Sequence, residues 1–238
     1  MYAFMALLAA TVQTGIAAAA RKVEDVRTRR TVQKARPQTC DDLAGQLETP
    51  GGVGPSELYA RATAGQDDTL TAPFSGAECV WYVVRARERF WAYGPGPYGP
   101  QKVERSIKAA DHVSGPLAII DETGSAQIDP AGAEFILGEP AFSGFDASEG
   151  GDGRLYDRMS ELLGAPLRIR HKRMTIGVLI EEWVVTADEE LRIVGRARGA
   201  SEADGVVLGK SGRRPFIIAK RAAKPTRERT SLRLWGDR

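Results

Sequence analysis

An alternating run at residues 79–90 constrains the fold more than any other feature of the sequence. It reads Cys-Val-Trp-Tyr-Val-Val-Arg-Ala-Arg-Glu-Arg-Phe. The period of two predicts a β-strand, with Arg85, Arg87 and Arg89 in a row on one face. Such a row can contact an anion or a partner. More commonly it forms a solvated face that pairs with carboxylates on a neighbouring strand, so both interpretations stay open.

Two short helices are predicted from their caps and their apolar spacing. Thr39 is the expected N-cap of a helix over Cys40–Leu47, because a threonine hydroxyl accepts a hydrogen bond from the first turn. Asp152 is the expected N-cap of a second helix, which Gly164 and Pro166 end. The apolar residues of this helix recur at helical spacing and predict a core-facing stripe. They are Leu155, Met159, Leu162 and Leu163.

The rest of the body predicts strands, turns and loops. Strands are expected at residues 58–62, 79–90, 117–120, 126–128, 167–173, 175–185, 191–197 and 215–219. Turns are expected at 66–68, 73–76 and 121–124, with Gly124 at a positive φ. Residues 93–100 alternate glycine and proline with tyrosine and predict a loop, and residues 142–153 predict a flexible acidic loop. The predicted fold class is α+β, mostly β, with antiparallel strands and one or two helices.

Residues 1–20 carry no charged side chain, and a helix of that length spans about 30 Å, the hydrocarbon thickness of a bilayer. A cleaved signal peptide is the competing interpretation, because residues 18–20 are alanines. No Lys or Arg precedes this run, whereas seven follow it within residues 21–36. The positive-inside rule then favours an uncleaved transmembrane helix before the folded body. We expect a single-pass protein of the cell membrane with its body on the cytoplasmic side, where Cys40 and Cys79 are reduced.

The net charge of +2 conceals two basic ends around an acidic body. Residues 1–37 sum to +5, residues 38–209 to −11 and residues 210–238 to +8. Basic residues beside a tryptophan suit an anionic lipid surface, so Arg229, Arg233 and Trp235 are candidate membrane contacts. Nucleic acid is the rival partner for this tail, but the tail has no recognition fold or row of stacking aromatics, and no nucleic acid is expected.

No residues stand out as a catalyst, a metal site or a cofactor site. Gly209-Lys210-Ser211 lacks the upstream glycine of a phosphate-binding loop. His112 and His171 are not spaced with Cys40 or Cys79 as zinc ligands are. We therefore predict no cofactor, no metal and no small-molecule substrate, and we expect Cys79 to be a buried, inert thiol.

Five short motifs follow one another in order across the body. They are Ala72-Pro73-Phe74-Ser75-Gly76, Cys79-Val80-Trp81-Tyr82, Pro116 to Gly124 with Ile128-Asp129-Pro130, Glu181-Glu182-Trp183 and Leu191 to Gly195. With the apolar N-terminal segment, this arrangement resembles the GIDE family, also called the Beside-A-Membrane (BAM) domain, of membrane-bound ubiquitin ligases and many bacterial proteins. The resemblance implies a domain held beside a membrane, typically between two spans. It divides the chain into an anchor at 1–20, a basic stalk and short helix at 21–49, the GIDE-like domain at 50–220 and a basic juxtamembrane tail at 221–238.

The sequence departs from this family in two ways. No second span follows residue 220, and the two cysteines and two histidines cannot supply the roughly eight ligands of a RING. We therefore expect a non-catalytic module that binds an unidentified protein or peptide at the membrane. One alternative is a relative of the RING-type E3 ubiquitin transferases, and a second is nucleic-acid binding through the tail. The composition, rich in Arg, Ala and Gly, favours a bacterial source.

Overall fold

The computed structural model describes residues 35–47, 55–64, 69–96, 99–148, 150–171, 174–199, 206–210 and 216–221. The predicted anchor, most of the basic stalk, the turn at 66–68 and the contact residues Arg229, Arg233 and Trp235 lie outside these ranges. Within them, no helix is both long and apolar enough to cross a membrane.

The described residues form short and long strands with two helices. In chain order they are β1 (Arg36–Gln38), α1 (Cys40–Leu47), β2 (Ser56–Thr63), β3 (Leu70–Thr71), β4 (Glu78–Cys79), β5 (Trp81–Gly96), β6 (Gly99–Val113), β7 (Leu117–Ile120), β8 (Ser125–Ile128), β9 (Glu134–Ile136), β10 (Phe142–Ala147), α2 (Arg154–Leu163), β11 (Thr175–Val185), β12 (Glu190–Gly199), β13 (Val206–Gly209) and β14 (Ile217–Lys220). This confirms a mostly β fold.

Five of the strands close a small barrel. β2 pairs with β7, β7 with β8, β8 with β13, β13 with β12, and β12 returns to β2. Among the five strand contacts of the barrel, only that of β8 with β13 is parallel. In chain order these two are the third and fifth strands of the barrel. This is the connectivity of the five-stranded OB-fold barrel. Alternate side chains fill the interior, as Leu58 and Ile193 do on directly opposed positions of β2 and β12.

Helix α1 packs against the barrel, and its Cys40 and Leu43 belong to the barrel core. Thr39 is its N-cap, as predicted. The Asp42 N–H donates to the Thr39 hydroxyl at 3.2 Å, and the Thr39 N–H donates to the Asp42 carboxylate at 3.0 Å. This reciprocal pair satisfies two donors at the helix start, where no intrahelical acceptor exists.

The turn between β7 and β8 holds α1 in place through Asp121. Its carboxylate accepts the Cys40 N–H at 2.8 Å, the Thr123 N–H at 2.8 Å and the Gly124 N–H at 3.0 Å. Burial raises the pKa of Asp121, but the hydrogen bonds from Thr123 and Cys40 outweigh burial and leave the pKa below its usual value. The prediction of a positive φ at Gly124 is wrong. The Gly124 N–H that donates to the Asp121 carboxylate shapes this turn, and a left-handed backbone does not.

A second sheet, in the order β10-β11-β5-β6, carries the arginine row. β5 and β11 pair antiparallel from Trp81 opposite Val185 to Phe90 opposite Thr175, which confirms both predicted strands. One face of this sheet packs against α2 in a second hydrophobic cluster. The buried members of that cluster are Val84, Ala86, Met159, Leu167, Val178 and Ile180. The predicted apolar stripe of α2 is therefore core.

Three predictions of irregular structure or strand are wrong. The loop predicted at 93–100 is instead strand at both ends, because residues 93–96 continue β5 and β6 begins at residue 99. Pro95 and Pro100 are directly opposed, and strands tolerate such a pair at a site where neither residue has to donate an N–H to the other strand. Residues 142–147 form β10 against β11. Residues 167–171 form no strand, since the N–H groups of Arg170 and His171 donate to the Glu88 carboxylate.

The start of α2 also differs from the prediction. Gly153, at a φ of 70°, is the N-cap, whereas Asp152 accepts the Arg154 backbone N–H at 3.2 Å and pairs with the Arg154 Nε at 3.1 Å. The buried Asp146 of β10 accepts the Tyr156 N–H at 3.1 Å and the Gly153 N–H at 3.3 Å instead. A carboxylate from the neighbouring strand thus caps the helix and ties it to the sheet.

A candidate binding face on the four-stranded sheet

The second face of the four-stranded sheet presents Arg85, Arg87 and Arg89, and we call it the arginine face. It also includes the aromatic residues Trp91, Tyr93, Phe145 and Trp183, as the contacts below show. At one end it meets the barrel core through Val83. Away from the barrel, the exposed fraction of the side chain rises from 19% at Arg85 to 22% at Arg87 and 34% at Arg89. Tyr93, farther along β5, is 69% exposed.

Each arginine of the row pairs with a carboxylate on an adjacent strand. Arg85 Nε lies 3.0 Å from Asp111 on β6, and Arg87 Nε lies 3.3 Å from Glu181 on β11. Arg89 pairs with Glu104 on β6. The interpretation of the row as a cross-strand ion-pair ladder is confirmed. Contact with an anion or a partner stays a prediction. Partly exposed pairs of this kind contribute at most about 1 kcal/mol each.

Three cations of this face each lie against an aromatic ring. The Arg89 guanidinium lies 4.8 Å from the centre of the Phe145 ring, and the Arg85 guanidinium lies 5.7 Å from Trp183. Farther out, the Lys102 ammonium lies 4.6 Å from Trp91. Cation–π contacts at such sites contribute about 0.5–1 kcal/mol. The face therefore presents guanidinium groups and aromatic rings together.

Buried carboxylates on the opposite side of β5 and β11 tie these strands to neighbouring segments. Glu88 accepts the His171 N–H at 2.8 Å and the Thr175 hydroxyl at 2.7 Å, and the His171 ring stacks on Phe90 at 3.6 Å. Burial raises the pKa of Glu88, but its donors, including the Arg170 N–H, outweigh burial and hold the pKa below its ordinary value.

Glu182 does the same for β11. It is fully buried, and its carboxylate accepts the Phe74 N–H and the Ser75 N–H, both at 2.8 Å, together with the Ser75 hydroxyl. Two of the motifs that resemble the GIDE family, at 72–76 and 181–183, are thus hydrogen-bonded to each other through the buried Glu182 carboxylate. Its neighbour Glu181 points to the arginine face, so adjacent glutamates fix the strand on one side and line the candidate site on the other.

The alternating pattern predicts the arginine row but not the residues that the arginines contact. Phe145 lies in the segment predicted as an acidic loop, and Glu104 and Asp111 lie in β6, for which no strand was predicted. The signal in β6 is weak because charged and small residues replace the usual β-branched ones. The second predicted contact set, in the tail, lies outside the described residues.

A separate groove of about 590 Å³ runs beside the Asp121 turn. Tyr59 and Ile120, both exposed, form its apolar wall. Arg221, one of two arginines that line the groove, pairs with Glu190 at 2.8 Å and lies 5.9 Å from the Tyr59 ring. Arg221, Glu190 and Tyr59 thus contact one another across the groove. None of the three is a buried titratable side chain of the kind that a catalytic site uses.

The remaining candidate chemistry is structural. In the described ranges, no three His, Cys, Asp or Glu residues come together as a metal site would require. His112 stacks on Tyr82, and His171 stacks on Phe90. Both cysteines are free and buried. Burial, followed by the nearby Asp121 carboxylate, raises the pKa of Cys40 to about 12, and burial raises the pKa of Cys79 as well. Both shifts disfavour the thiolate form that a nucleophile requires.

Comparison with known proteins gives one match. A family model for the GIDE domain, described as an E3 ubiquitin ligase, matches residues 106–231. Neither the curated proteins nor the solved structures include a match. The matched residues contain four of the five barrel strands and both strands that flank α2, whereas β2 precedes them. Because the match covers just over half of the 238 residues, the chain belongs to the GIDE family.

Proposed function

We propose that this chain is a membrane-anchored, non-catalytic module that binds a protein or peptide at the cytoplasmic membrane surface. The observation that supports binding is the arginine face, whose opposite side is already packed against α2. Arginine and aromatic side chains are the residues most often responsible for affinity in protein interfaces. Exposure of Tyr93 and Phe145, at 69% and 40%, leaves their rings available to a partner.

The pairing of the arginines favours a protein over a small anion. Each guanidinium of the row already faces a carboxylate, so a free anion would compete with Asp111, Glu181 or Glu104. A polypeptide instead gains from burying the aromatic rings, and its backbone carbonyls can accept hydrogen bonds from arginine side chains. The expected partner therefore presents apolar side chains with a few hydrogen-bond acceptors.

Matched variants of the full chain test the site. Proximity labelling is compared between the natural chain, Tyr93→Ser and Arg89→Gln on the arginine face, and Tyr59→Ser and Arg154→Gln elsewhere. Tyr59 is an exposed aromatic of the groove, and Arg154 is an exposed, paired arginine of α2. We expect specific labelled proteins to disappear with the first two variants and to persist with the controls. Equal profiles for all variants would exclude the arginine face.

Membrane attachment rests on the sequence of residues 1–20 and on the basic residues after it. Fractionation of the full chain and N-terminal sequencing test the topology. We expect an intact chain in the membrane fraction, with the body accessible to protease only from the cytoplasmic side. A body recovered from the periplasm or the medium without its first twenty residues would overturn this part of the proposal.

The family description also names a second candidate, ubiquitin-ligase chemistry. Because a RING cannot be built from four cysteine and histidine residues, we expect the chain to discharge no ubiquitin from a charged E2 by itself. Discharge by the purified chain would establish the alternative.

A further inference from the structure

The outer edge of β6 is a long backbone surface without a neighbour among the described strands. β6 is the last strand of its sheet and pairs with β5 along its length. Residues 102–108 are the accessible part, because five of these seven side chains are exposed. At about 3.4 Å per residue they present about 24 Å of edge. Exposed edges of this length are sites for strand addition.

This edge has only one of the usual protections against pairing. No proline interrupts residues 102–108, and the register irregularity of the β5–β6 pair lies beyond Lys108. Its charged side chains are the remaining protection. These are Lys102, Glu104, Arg105 and Lys108. Since both signs are present, they repel a second strand in some registers and attract it in others.

Two-fold symmetry restricts which registers are available. In a symmetric antiparallel pair the axis passes between two copies of one residue, so positions equally far from it are opposed. An axis at Glu104, Arg105 or Lys108 brings like charges together. An axis at Ile107 opposes no charged pair. An axis at Val103 opposes Lys102 of each copy to Glu104 of the other, but it also places Pro100, which has no N–H to donate, opposite Ser106. An axis at Ser106 places Glu104 of each copy opposite Lys108 of the other and brings no proline into the pairing, so it is the complementary arrangement that this edge allows.

We propose that two copies of this chain pair antiparallel through β6, with their Ser106 residues opposed at the two-fold axis. The two four-stranded sheets then form one sheet of eight strands. Both arginine faces lie on the same side of it, because an axis perpendicular to the sheet preserves its faces. A dimer would bind a repeated or dimeric partner through two linked sites, with gains in apparent affinity of the kind that linkage gives. The pairing itself does not depend on the function proposed above.

Charge reversal tests the register. Full chains carrying donor or acceptor fluorophores are mixed in detergent micelles, and energy transfer reports the dimer. Glu104→Lys and Lys108→Glu should each raise the dissociation constant by about tenfold, because two attractive pairs become repulsive. An equal mixture of the two variants should restore energy transfer, since every opposed pair is again of opposite sign. Arg154→Glu, on α2, should change nothing.

Two results would overturn the pairing. One is a natural chain that shows no energy transfer at about 100 µM. The other is a mixture of the two reversed variants that stays unpaired while both retain native circular dichroism. The mixture separates a lost interface from local damage, because Glu104 and Lys108 also pair within the chain, with Arg89 and Asp111.

A cysteine at the axis gives an independent measurement. Directly opposed residues of antiparallel strands have Cα atoms about 4.5–5.5 Å apart, which fits a disulfide. Oxidised Ser106→Cys should therefore form a covalent dimer, and Ser125→Cys, an exposed position on β8, should not. Both native cysteines are buried and should not interfere. Absence of a dimer at position 106, or equal dimer at 125, would exclude the proposed register.

Discussion

Removing the Glu182 carboxylate should destabilise the fold much more than changing Glu181, the other glutamate of β11. This side chain is fully buried and accepts the Phe74 and Ser75 N–H groups at 2.8 Å, plus the Ser75 hydroxyl. Hydrogen bonds to a charged group contribute about 1.5–3 kcal/mol each, and donors left without an acceptor carry a further cost. Glu182→Ala also opens a cavity, so we expect a loss of about 4 kcal/mol.

Glu181→Gln is the matched control, one residue away on the same strand. Its carboxylate pairs with Arg87 at a partly exposed site, so the expected loss is below about 1 kcal/mol. Urea unfolding followed by tryptophan fluorescence measures both, since the chain has four tryptophans. For a chain of this size, a loss of about 4 kcal/mol lowers Tm by about 8–16 °C. Losses for Glu182→Ala and Glu181→Gln that agree within about 1 kcal/mol would refute the role assigned to the buried charge.

Three further outcomes are expected. The pKa of Glu88 is lowered in the folded protein, so its contribution to the free energy of unfolding is present above the ordinary pKa of 4.5 and is lost as the pH falls through the folded pKa. Glu88→Gln should therefore flatten the acid limb of a stability–pH profile, and an unchanged limb would contradict this. The buried Cys40 and Cys79 should react with Ellman's reagent only as fast as the chain unfolds, whereas rapid labelling without denaturant would show that one is exposed. Gly177→Ala should destabilise the fold by about 1–3 kcal/mol in urea titrations, because the new Cβ would lie 2.3 Å from a backbone carbonyl oxygen. Gly45→Ala, in open space on α1, should stabilise the fold by about 0.5–1 kcal/mol, and similar effects of the two variants would contradict the packing described.

Local patterns predicted those parts of the fold that depend on neighbouring residues. The β-period of residues 79–90, the Thr39 cap and the strand Thr175–Val185 each have a physical cause within about ten residues. Where a long-range contact decides the structure, the prediction failed. Residues 167–171 have the composition of a strand, but Glu88, eighty residues earlier, accepts the N–H groups that a strand would use.

Barrel closure could not be predicted for a related reason. The contact of β2 with β12 joins residues 129 to 139 positions apart, and nothing in either strand specifies the register before both are folded. The candidate site shows the same division. Arg85, Arg87 and Arg89 were identified from their period, whereas Phe145 joins them only through the pairing of β10 with β11.

The most direct test of the proposed binding role is site-specific photo-crosslinking in cells that produce the full chain. A photoreactive phenylalanine analogue replaces Phe145 or Tyr93 on the arginine face, or Tyr59 in the groove as a control of similar exposure. We expect a discrete adduct with another protein from positions 145 and 93 and none from position 59. Adducts from position 59 alone, or the same faint pattern from all three, would contradict the assignment of the arginine face as the binding surface.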